Sequence, residues 1–519
     1  MHINNNRFLS AFTNKRKWIA LLLIICVLFC GCHAIDGTGE DICRSHTDTD
    51  NNGTCDSCSE NVLVSFDVYS VNDLHGKIVD ADTHPGVDEM TTYFKNIRSN
   101  NPNTILISAG DMWQGSSESN LTRGNLTTEW MNEIGFDAMI LGNHEFDWGE
   151  EPVMDNAELA DFPFLAINIY ERSTNEPVDY CHSSTVIDLG DVQVGIIGAI
   201  GDCYTSIAAD KVEDIYFKTD SELTELVKKE SVALREQGAD FIIYTLHDGY
   251  EQTLSGNVTD ISGSSIASYY DTELSNGYVD LVFEAHTHQK YLLCDEYGVY
   301  HFQYKGENKG LSHVRVSYNI ANQTSDVRIA ELLPTGTYAN LEDDPIVEEL
   351  LEKYDELISP ASEIVGTNAI QRQGNEMRQL VADLYYQIGV DTWGDEYDIA
   401  LGGGFISIRN PWYLAEGAVT YGMLQSLFPF DNDLVLCSIR GQELKDRFFE
   451  TNHDSYYISY GTYGDQLRSN IDPDETYYVV VDTYSASYKP NRLTVVEEYE
   501  IGVYARDLLA DYIRDGNLS

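Results

Sequence analysis

Residues 138–147 read AMILGNHEFD, a short apolar run followed at once by polar side chains. Four apolar residues that end at a glycine are typical of a strand buried inside a sheet. Asn143, His144 and Asp147 follow that run, and open α/β sheets bind their ligands just past the carboxyl ends of their strands. The stretch therefore predicts an α/β protein with a polar site at one edge of its sheet.

Side chains that can bind metals also follow four further apolar runs, at 62–71, 104–108, 241–246 and 281–283. In the order of the runs, these side chains are Asp73 and His75, then Asp111, then His247, then His286 and His288. Carboxylate, amide and imidazole groups without a thiolate suit Zn, Mn, Fe or related divalent ions. A single histidine in such a domain is more often structural. Five polar clusters at five strand ends make a shared metal site the better interpretation.

Helical stretches at 90–98 and 221–237 separate several of these strands, which predicts layered α/β structure. Residues 345–358 have apolar residues at helical spacing behind Asp344 and Pro345, a good helix start. We interpret 334–365 as a linker helix and 366–519 as a second α/β unit that begins with a helix near 375–388.

The chain has 519 residues and a formal net charge of −53, from 32 basic and 85 acidic residues. That length predicts two or three domains. The acidic surface repels nucleic acid and anionic membranes, so a polymeric nucleic acid is a poor partner. Solubility outside the cell and adaptation to high salt both explain the acidity. An anionic substrate would need local positive charge, which metal ions supply.

Residues 1–32 have the pattern of an export signal, with basic residues at 15–17 and an apolar run at 18–29. The run ends in Gly31 and Cys32, which resembles a bacterial lipobox and makes Cys32 the candidate for lipidation. Plain cleavage and an uncleaved anchor remain alternatives. We expect an exported protein at the bacterial surface, either membrane-anchored as a lipoprotein or secreted, with no other contact to the membrane.

Residues 33–60 form a polar segment that contains Cys43-x-x-His46 and Cys55-x-x-Cys58. Two such pairs could close a tetrahedral zinc site, so Cys43, His46, Cys55 and Cys58 predict a small structural knuckle. A disulfide or a flexible linker is the alternative. The loop between the pairs begins like a calcium loop, but Ser59 stands where an EF-hand has glutamate.

Three segments of the sequence resemble the motifs of one protein family. NDLHG at 72–76, GDMWQG at 110–115 and GNHEFD at 142–147 are similar to the calcineurin-like metallophosphoesterases, and within them to the bacterial 5′-nucleotidases, over about residues 61–519. The resemblance implies a four-layer αββα metallophosphoesterase sandwich at 61–333. It also implies that 366–519 is an α/β 5′-nucleotidase C-terminal domain, which contacts the substrate.

The resemblance further implies two divalent metal ions, Zn, Mn or similar. Carried over by position, the first ion has the ligands Asp73, His75, Asp111 and His288, and the second has Asp111, Asn143, His247 and His286. Asp111 would bridge the two ions. His144 and Asp147 would form the catalytic pair, with His144 stabilising the transition state or protonating the leaving group.

The substrate contacts implied in the C-terminal domain are Arg372, Gly403, Gly404, Arg409, Phe430 and Tyr484, with Phe430 and Tyr484 stacking on a base. A tight turn is the alternative for the glycines, and core packing for Phe430. Two departures weaken strict nucleotide specificity. Where the family usually has an arginine, this chain has Ile406, and an arginine follows three residues later as Arg409. Where the family has a late Gly-Gly-Asp segment, this chain has SYKP at 487–490.

The function that we expect is hydrolysis of nucleotides by metal-activated water, as in 5′-nucleotidases. A 2′,3′-cyclic nucleotide phosphodiesterase, a UDP-sugar hydrolase and a broad phosphomonoesterase share this fold and remain alternatives. A surface binding protein without activity is a more distant alternative, because it would not need His144 and Asp147.

Overall fold

The structure is a computed structural model that describes residues 33–35, 41–43, 46–80, 85–250, 270–405, 412–448, 456–460, 471–487, 493–500 and 502–518. The predicted leader with Cys32 lies outside these residues, as does Arg409. Of Cys43, only the backbone is described.

The described chain begins with a small hairpin, in which β1 (His33–Ile35) pairs antiparallel with β2 (Asp41–Cys43). Two six-stranded sheets follow. The strands of the first sheet are β3 (Leu63–Val71), β4 (Thr104–Ser108), β5 (Ala138–Ile140), β6 (Phe164–Leu165), β15 (Gly310–Asn319) and β16 (Thr324–Pro334). The strands of the second sheet are β8 (Ser184–Asp188), β9 (Gln193–Ile200), β11 (Phe241–His247), β12 (Leu281–Glu284), β13 (Tyr291–Cys294) and β14 (Tyr300–Gln303). A separate ribbon pairs β7 (Ile169–Glu171) with β10 (Ile215–Phe217).

The first large sheet has antiparallel strands at one edge only, and the second has them at both edges. The first has the order β16-β15-β3-β4-β5-β6, with β3 to β6 parallel. The second has the order β13-β14-β12-β11-β9-β8, with β9, β11, β12 and β14 parallel. The central strand β4 is buried at every position, as expected for a strand covered on both faces.

Apolar side chains fill the space between the two sheets, among them Phe66, Ile107, Ile196, Ile243 and Phe283. Helices cover the outer faces. Those that pack on the first sheet include α1 (Asp88–Asn100), α3 (Asn125–Ile134) and α4 (Glu150–Leu159), with α2 (Ser117–Leu121) between α1 and α3 in the chain, and α5 (Asp220–Glu236) packs on the second sheet. The arrangement is a four-layer αββα sandwich, as predicted.

The predicted linker helix is two short helices, α6 (Ile346–Lys353) and α7 (Asp355–Ile358), which meet at Tyr354. The Asp344 carboxylate accepts a hydrogen bond from the Ile346 N–H at 3.1 Å and so caps the first helix. Val347 and Leu350 belong to the core beneath the first sheet. This segment therefore packs on the sandwich instead of crossing open space.

The C-terminal unit has a mixed five-stranded sheet with the order β23-β19-β24-β22-β25. Its strands are β19 (Ile399–Phe405), β22 (Leu434–Arg440), β23 (Tyr456–Tyr460), β24 (Thr476–Asp482) and β25 (Thr494–Glu498). Two small ribbons pair β17 (Ile364–Asn368) with β21 (Gly417–Thr420) and β18 (Arg372–Gln373) with β20 (Tyr413–Leu414). The helices are α8 (Asn375–Trp393), α9 (Tyr421–Leu427), α10 (Gly441–Phe448), α11 (Thr483–Ser487) and α12 (Ala505–Arg514).

This second unit has its own apolar core, so the predicted fold class, a metallophosphoesterase sandwich followed by a second α/β domain, is confirmed. Among the described residues, no helix has both the length and the apolar character needed to cross a membrane.

Candidate active site

The parallel strands of both sheets end at a common edge, and the predicted metal ligands lie there. Asp73 follows β3, Asp111 follows β4 and Asn143 follows β5. From the second sheet, His247 is the last residue of β11, and the pair at 286 and 288 follows β12. The alternation of parallel strands and helices thus brings together segments that are up to 215 residues apart in the chain, from 73 to 288.

Several of these residues have an unusual backbone. The left-handed φ angles lie between 50° and 65° for Asp73, His75, Asp111, His286 and His288. Such angles cost about 1–3 kcal/mol each in residues other than glycine, and they cluster at functional sites. The surrounding structure therefore holds these side chains in orientations that an ordinary strand end would not produce.

One group of potential ligands contains Asp73, His75 and His288, whose donor atoms all lie within 4.8 Å of one another. The Nε2 atoms of the two histidines are 3.1 Å apart, and His288 Nε2 is 3.4 Å from Asp73 Oδ1. His75 Nδ1 lies 2.9 Å from the Gln114 carbonyl, to which it can donate. Because Nδ1 of His75 contacts this carbonyl, Nε2 is the nitrogen that faces the other potential ligands.

A neighbouring group contains Asp73, Asp111 and His247, again with donor atoms within 4.8 Å. His247 Nε2 is 3.1 Å from Asp111 Oδ2 and 3.2 Å from Asn143 Oδ1. Its Nδ1 lies 2.7 Å from the Ala109 carbonyl, so Nε2 is again the nitrogen that faces inward. The His286 ring is 5.6 Å from the His247 ring. The seven predicted ligands thus form one continuous cluster.

The charges in this cluster are strongly coupled because it is buried. Burial alone would raise the pKa of Asp111, but the positive charges of His247 and His144 hold it well below its usual value. Burial would lower the pKa of His247, and Asp111 outweighs that effect and raises it to about 10. For His286, burial and the neighbouring His247 lower the pKa to about 4. A buried site with this many interacting groups is typical of catalysis or metal binding.

His144 lies beside this cluster, in a short helical turn at His144–Phe146. Its Nδ1 is 2.6 Å from Asp147 Oδ2, and its ring is 5.3 Å from the ring of His75. The Asp147 carboxylate can accept a hydrogen bond from Nδ1–H, which fixes the orientation of the ring. The structure therefore brings together the predicted catalytic pair.

Glu145 is a functional residue that the sequence analysis did not single out. Its buried carboxylate accepts hydrogen bonds from the N–H groups of Asp111, Met112 and Gly142, at 2.9, 2.8 and 2.7 Å. Burial, followed by the negative charge of Asp111, raises its pKa to about 7. Glu145 ties the loops after β4 and β5 together. Its place next to His144 was the signal available in the sequence.

Cys203 is a thiol close to the second group, with its donor atom within 4.8 Å of those of His247 and His286. It donates to the His247 carbonyl at 2.9 Å, and burial, followed by the charge of Asp248, raises its pKa well above the usual value. Cys181 is likewise a buried thiol, directed at the Ala166 carbonyl. A disulfide between these two cysteines, which are close in sequence, is therefore not formed.

The C-terminal unit closes over the site. The Phe430 ring lies 5.9 Å from the His144 ring. Arg506 donates to the Phe430 carbonyl at 3.0 Å and pairs with Asp431, whose other oxygen lies 3.0 Å from Arg123 of the sandwich. A cavity of about 120 Å³ beside this network is lined by Asn120, Leu121, Arg123, Trp148, Gln425, Pro429, Asp431 and Arg506. Sequence patterns did not reveal this contact because its members come from both domains.

Other predicted substrate contacts have different surroundings. Arg372 donates to the Asn368 side chain and to the Ile370 carbonyl, within its own loop. Gly403 and Gly404 lie inside β19, so the alternative of a tight turn at these glycines is wrong. Tyr484 is the second residue of α11 and is half-buried. Phe430 lies beside His144 in the site, and Arg409 lies outside the described residues.

A model of the calcineurin-like phosphoesterase family matches residues 68–290. The chain is 27% identical over 480 residues to Endonuclease YhcR of Bacillus subtilis (strain 168), a match that covers 82% of this chain and 37% of that protein. It is 25% identical over 423 residues to a snake venom 5′-nucleotidase of Gloydius brevicauda, with 74% of this chain and 70% of that protein covered. Residues 68–290 thus match the calcineurin-like phosphoesterase family, and most of the chain is similar to 5′-nucleotidases.

The fold is similar to that of a 5′-nucleotidase precursor from Thermus thermophilus, with a TM-score of 0.67 at 19% identity, over 87% of this chain and 96% of that one. The chain spans little more than a third of the length of the Bacillus endonuclease. The family model that matches residues 68–290 agrees with the predicted class, a hydrolase of phosphoric ester bonds.

The family implies divalent metal ions, and the residues present fit them. Histidine Nε2 atoms and carboxylate oxygens converge within 4.8 Å, and neighbouring carbonyls orient two of the imidazoles. Such hard oxygen and imidazole donors are suited to zinc, manganese or iron.

Proposed function

We propose that this chain hydrolyses small phosphate esters of the nucleotide type, with a nucleoside 5′-monophosphate as the leading substrate. The observation that carries the proposal is the position of His144, which lies between the ligand cluster and the ring of Phe430. A phosphate at the cluster would have an imidazole next to its leaving group and an aromatic face beyond it.

Two metal ions are part of this proposal, the first held by Asp73, His75, Asp111 and His288 and the second by Asp111, Asn143, His247 and His286. Ions in such a site polarise phosphoryl oxygens and lower the pKa of bound water. Asp73 is common to the two groups of converging donor atoms and Asp111 belongs to the second, so the bridging role proposed here for Asp111 rests on the family resemblance. Asp111 Oδ1 also accepts the His144 N–H at 2.9 Å, so the ligand cluster and the catalytic histidine are held in register.

His144 has the role of protonating or hydrogen-bonding the leaving oxygen. Since Nδ1 is bound to Asp147, Nε2 is the nitrogen that can reach the ester. The carboxylate stabilises the imidazolium and prevents the ring from turning. Positioned acids of this kind contribute about 10²–10⁴ to the rate.

Phe430 supports a small substrate instead of a polymer. With its ring 5.9 Å from His144, it offers a face on which a base can stack. The net charge of −53 also disfavours a long polyanion. Gly403, Gly404, Arg372, Arg409 and Tyr484 remain proposed contacts of this substrate.

A phosphodiesterase is the second candidate. Its support is the similarity over 82% of this chain to a protein named as an endonuclease, together with the departures at Ile406 and at 487–490. The cyclic nucleotide and UDP-sugar activities considered from the sequence belong to this candidate, while a broad phosphomonoesterase belongs to the first.

The test is a substrate panel with the purified chain: AMP, 2′,3′-cyclic AMP, UDP-glucose, p-nitrophenyl phosphate and single-stranded DNA, each with and without a chelator. We expect the fastest phosphate release from AMP, loss of activity with the chelator and recovery with added divalent metal. A preference for the cyclic nucleotide or for DNA would favour the second candidate. No turnover with any metal would contradict both.

Export and lipidation at Cys32 are also proposed, on the basis of the apolar run and the Gly31-Cys32 pair. In a bacterial host, labelled fatty acid should be incorporated into the native chain but not into Cys32→Ala. Equal labelling of the two chains would contradict this assignment.

A further inference from the structure

A second group of potential metal ligands lies in the loop at 46–62, which precedes β3, whereas the catalytic cluster begins at Asp73 after the other end of that strand. The Val62 N–H donates to the Gly53 carbonyl at 3.0 Å, and Cys55 N–H donates to the Glu60 carbonyl at 2.8 Å. The loop thus folds back on itself directly before β3. Three side chains point into this fold: His46, Cys55 and Cys58.

The donor atoms of these three residues all lie within 4.8 Å of one another. Cys58 Sγ is 3.5 Å from His46 Nδ1. A tetrahedral zinc ion, at about 2.3 Å from sulfur and about 2.05 Å from nitrogen, places two such atoms roughly 3.6 Å apart. The observed separation matches that edge of the tetrahedron.

The surroundings orient the ligands. Glu60 Oε2 lies 3.7 Å from His46 Nε2 and 3.6 Å from the Cys58 sulfur, from which it can accept a hydrogen bond. This carboxylate therefore lies beside two of the three ligands. Backbone N–H groups of Thr47, Cys58 and Ser57 donate to Cys55, whose side chain is 1% exposed.

We propose that His46, Cys55 and Cys58 bind one thiophilic transition-metal ion of the zinc class, separate from the catalytic ions. Two sulfur ligands and one imidazole select zinc over the hard ions magnesium and calcium. Cys43, the fourth ligand predicted from the spacing, contributes only its backbone to the described residues, and the proposal rests on the other three.

The acidic part of the loop has a different role. The Asp48 carboxylate accepts hydrogen bonds from the Asn52 and Gly53 N–H groups at 2.9 and 2.8 Å and from Asn319 at 2.7 Å. Asn319 is the last residue of β15. Asp48 therefore anchors the loop to the first sheet, and a metal at the cysteines would lock the segment before β3 onto the sandwich.

The test uses the full chain, purified without chelator, and measures zinc per chain by mass spectrometry. Cys55→Ser and Cys58→Ser are each expected to lose about one equivalent of zinc and to unfold at a lower temperature, as expected when a structural ion is removed. Their turnover with added manganese should stay at the level of the native chain. The matched control is Cys294→Ser, which changes an exposed cysteine on β13 and should keep the full zinc content.

The absorption spectrum of the cobalt-substituted chain is a second measurement, which tests the proposal even if the serine variants fold poorly. Cobalt exchanged into the native chain should give a sulfur-to-cobalt charge-transfer band, which the oxygen and nitrogen ligands of the catalytic cluster cannot produce. The band should be lost in Cys58→Ser and kept in Cys294→Ser. Equal zinc content in all four chains, a cobalt spectrum without this band, or a Cys55–Cys58 disulfide in the purified chain would overturn the proposal.

Discussion

Two contacts fix the position of His144, one at its backbone and one at its ring. Its backbone N–H donates to the Asp111 carboxylate at 2.9 Å, and its Nδ1 lies 2.6 Å from Asp147. The ring can therefore neither turn nor withdraw from the cluster. At the scale of single residues, these contacts couple the proposed proton donor to a proposed metal ligand.

Replacing His144 by alanine should lower kcat by about 10²–10⁴ while the metal content stays unchanged, because a proton donor is lost and the ligands are kept. Phosphate release from AMP and metal analysis of the same sample measure the two quantities. The control is His182→Ala, which changes an exposed histidine outside the site. Full activity in His144→Ala would refute the catalytic role.

At the scale of elements, the pairing of β3 with β15 contains a buried charge cluster. Asp67 is opposite Arg315 in the register of the two strands. Its carboxylate accepts from Arg315 Nε and Nη2, both at 2.8 Å, and lies 2.8 Å from His313 Nε2. Burial would raise the pKa of Asp67, but hydrogen bonds from His313 and Arg315 outweigh it and lower the pKa to about 2.

Since the pKa of Asp67 is below its ordinary value of 3.8, its contribution to stability is complete above pH 3.8 and is lost as the pH falls through about 2. Asp67→Asn should lower the free energy of urea unfolding at pH 7 by about 3 kcal/mol, at the low end of the range for breaking a buried pair because Arg315 is partly exposed. This difference from the native chain should shrink toward pH 2.

The matched control for Asp67 is Asp326→Asn on the neighbouring strand β16. Asp326 pairs with Arg328, and both side chains are more than half exposed. An exposed ion pair contributes about 0–1 kcal/mol, so this variant should unfold almost as the native chain does. Equal losses in the two variants would contradict the assignment.

The contact between α8 and β19 depends on a glycine. A Cβ at Gly402 would overlap the backbone of Tyr386 in the helix. Gly402→Ala should therefore destabilise the C-terminal unit by about 1–3 kcal/mol, seen as a lower unfolding temperature. Gly336→Ala is the control, since its Cβ would meet no atom within 4 Å. An unchanged unfolding temperature in Gly402→Ala would show that the helix can shift at no cost.

At the scale of the whole molecule, an ion-pair network connects the two domains across the site. Asp431 binds Arg506 of its own domain and Arg123 of the sandwich, and Phe430 next to it covers His144. The Arg123 side chain is 47% exposed, so this link is weak enough to open and close. We expect the link to favour the closed cleft.

Arg123→Ala should raise KM for AMP about 1.5- to 5-fold, the equivalent of an exposed ion pair of about 0.2–1 kcal/mol, with a smaller effect on kcat. High salt should raise KM of the native chain toward that of the variant, because it screens the pair. Arg440→Ala, which removes an exposed pair with Asp474 within one domain, should leave KM unchanged. A salt-independent KM in the native chain would refute the link.

Local patterns were sufficient for the layered α/β class and for the polar segments at the strand ends. The apolar run at 104–108 is β4 at the same bounds, and the polar segments after five such runs carry the cluster. Strand formation and the position of a strand end depend on neighbours in sequence, so they can be recognised from short segments. The family resemblance then assigned individual roles to these residues.

Only the tertiary structure decided the features that depend on distant residues. The break at Tyr354 and the packing of Val347 follow from the surface that the sandwich presents. The pairing of Arg123 with Asp431 requires the two domains to meet. The sequence thus determined which side chains stand at the strand ends, from Asp73 to His288. Folding decided which of them meet, because hydrogen bonds and charge pairs are set by distance in space and not along the chain.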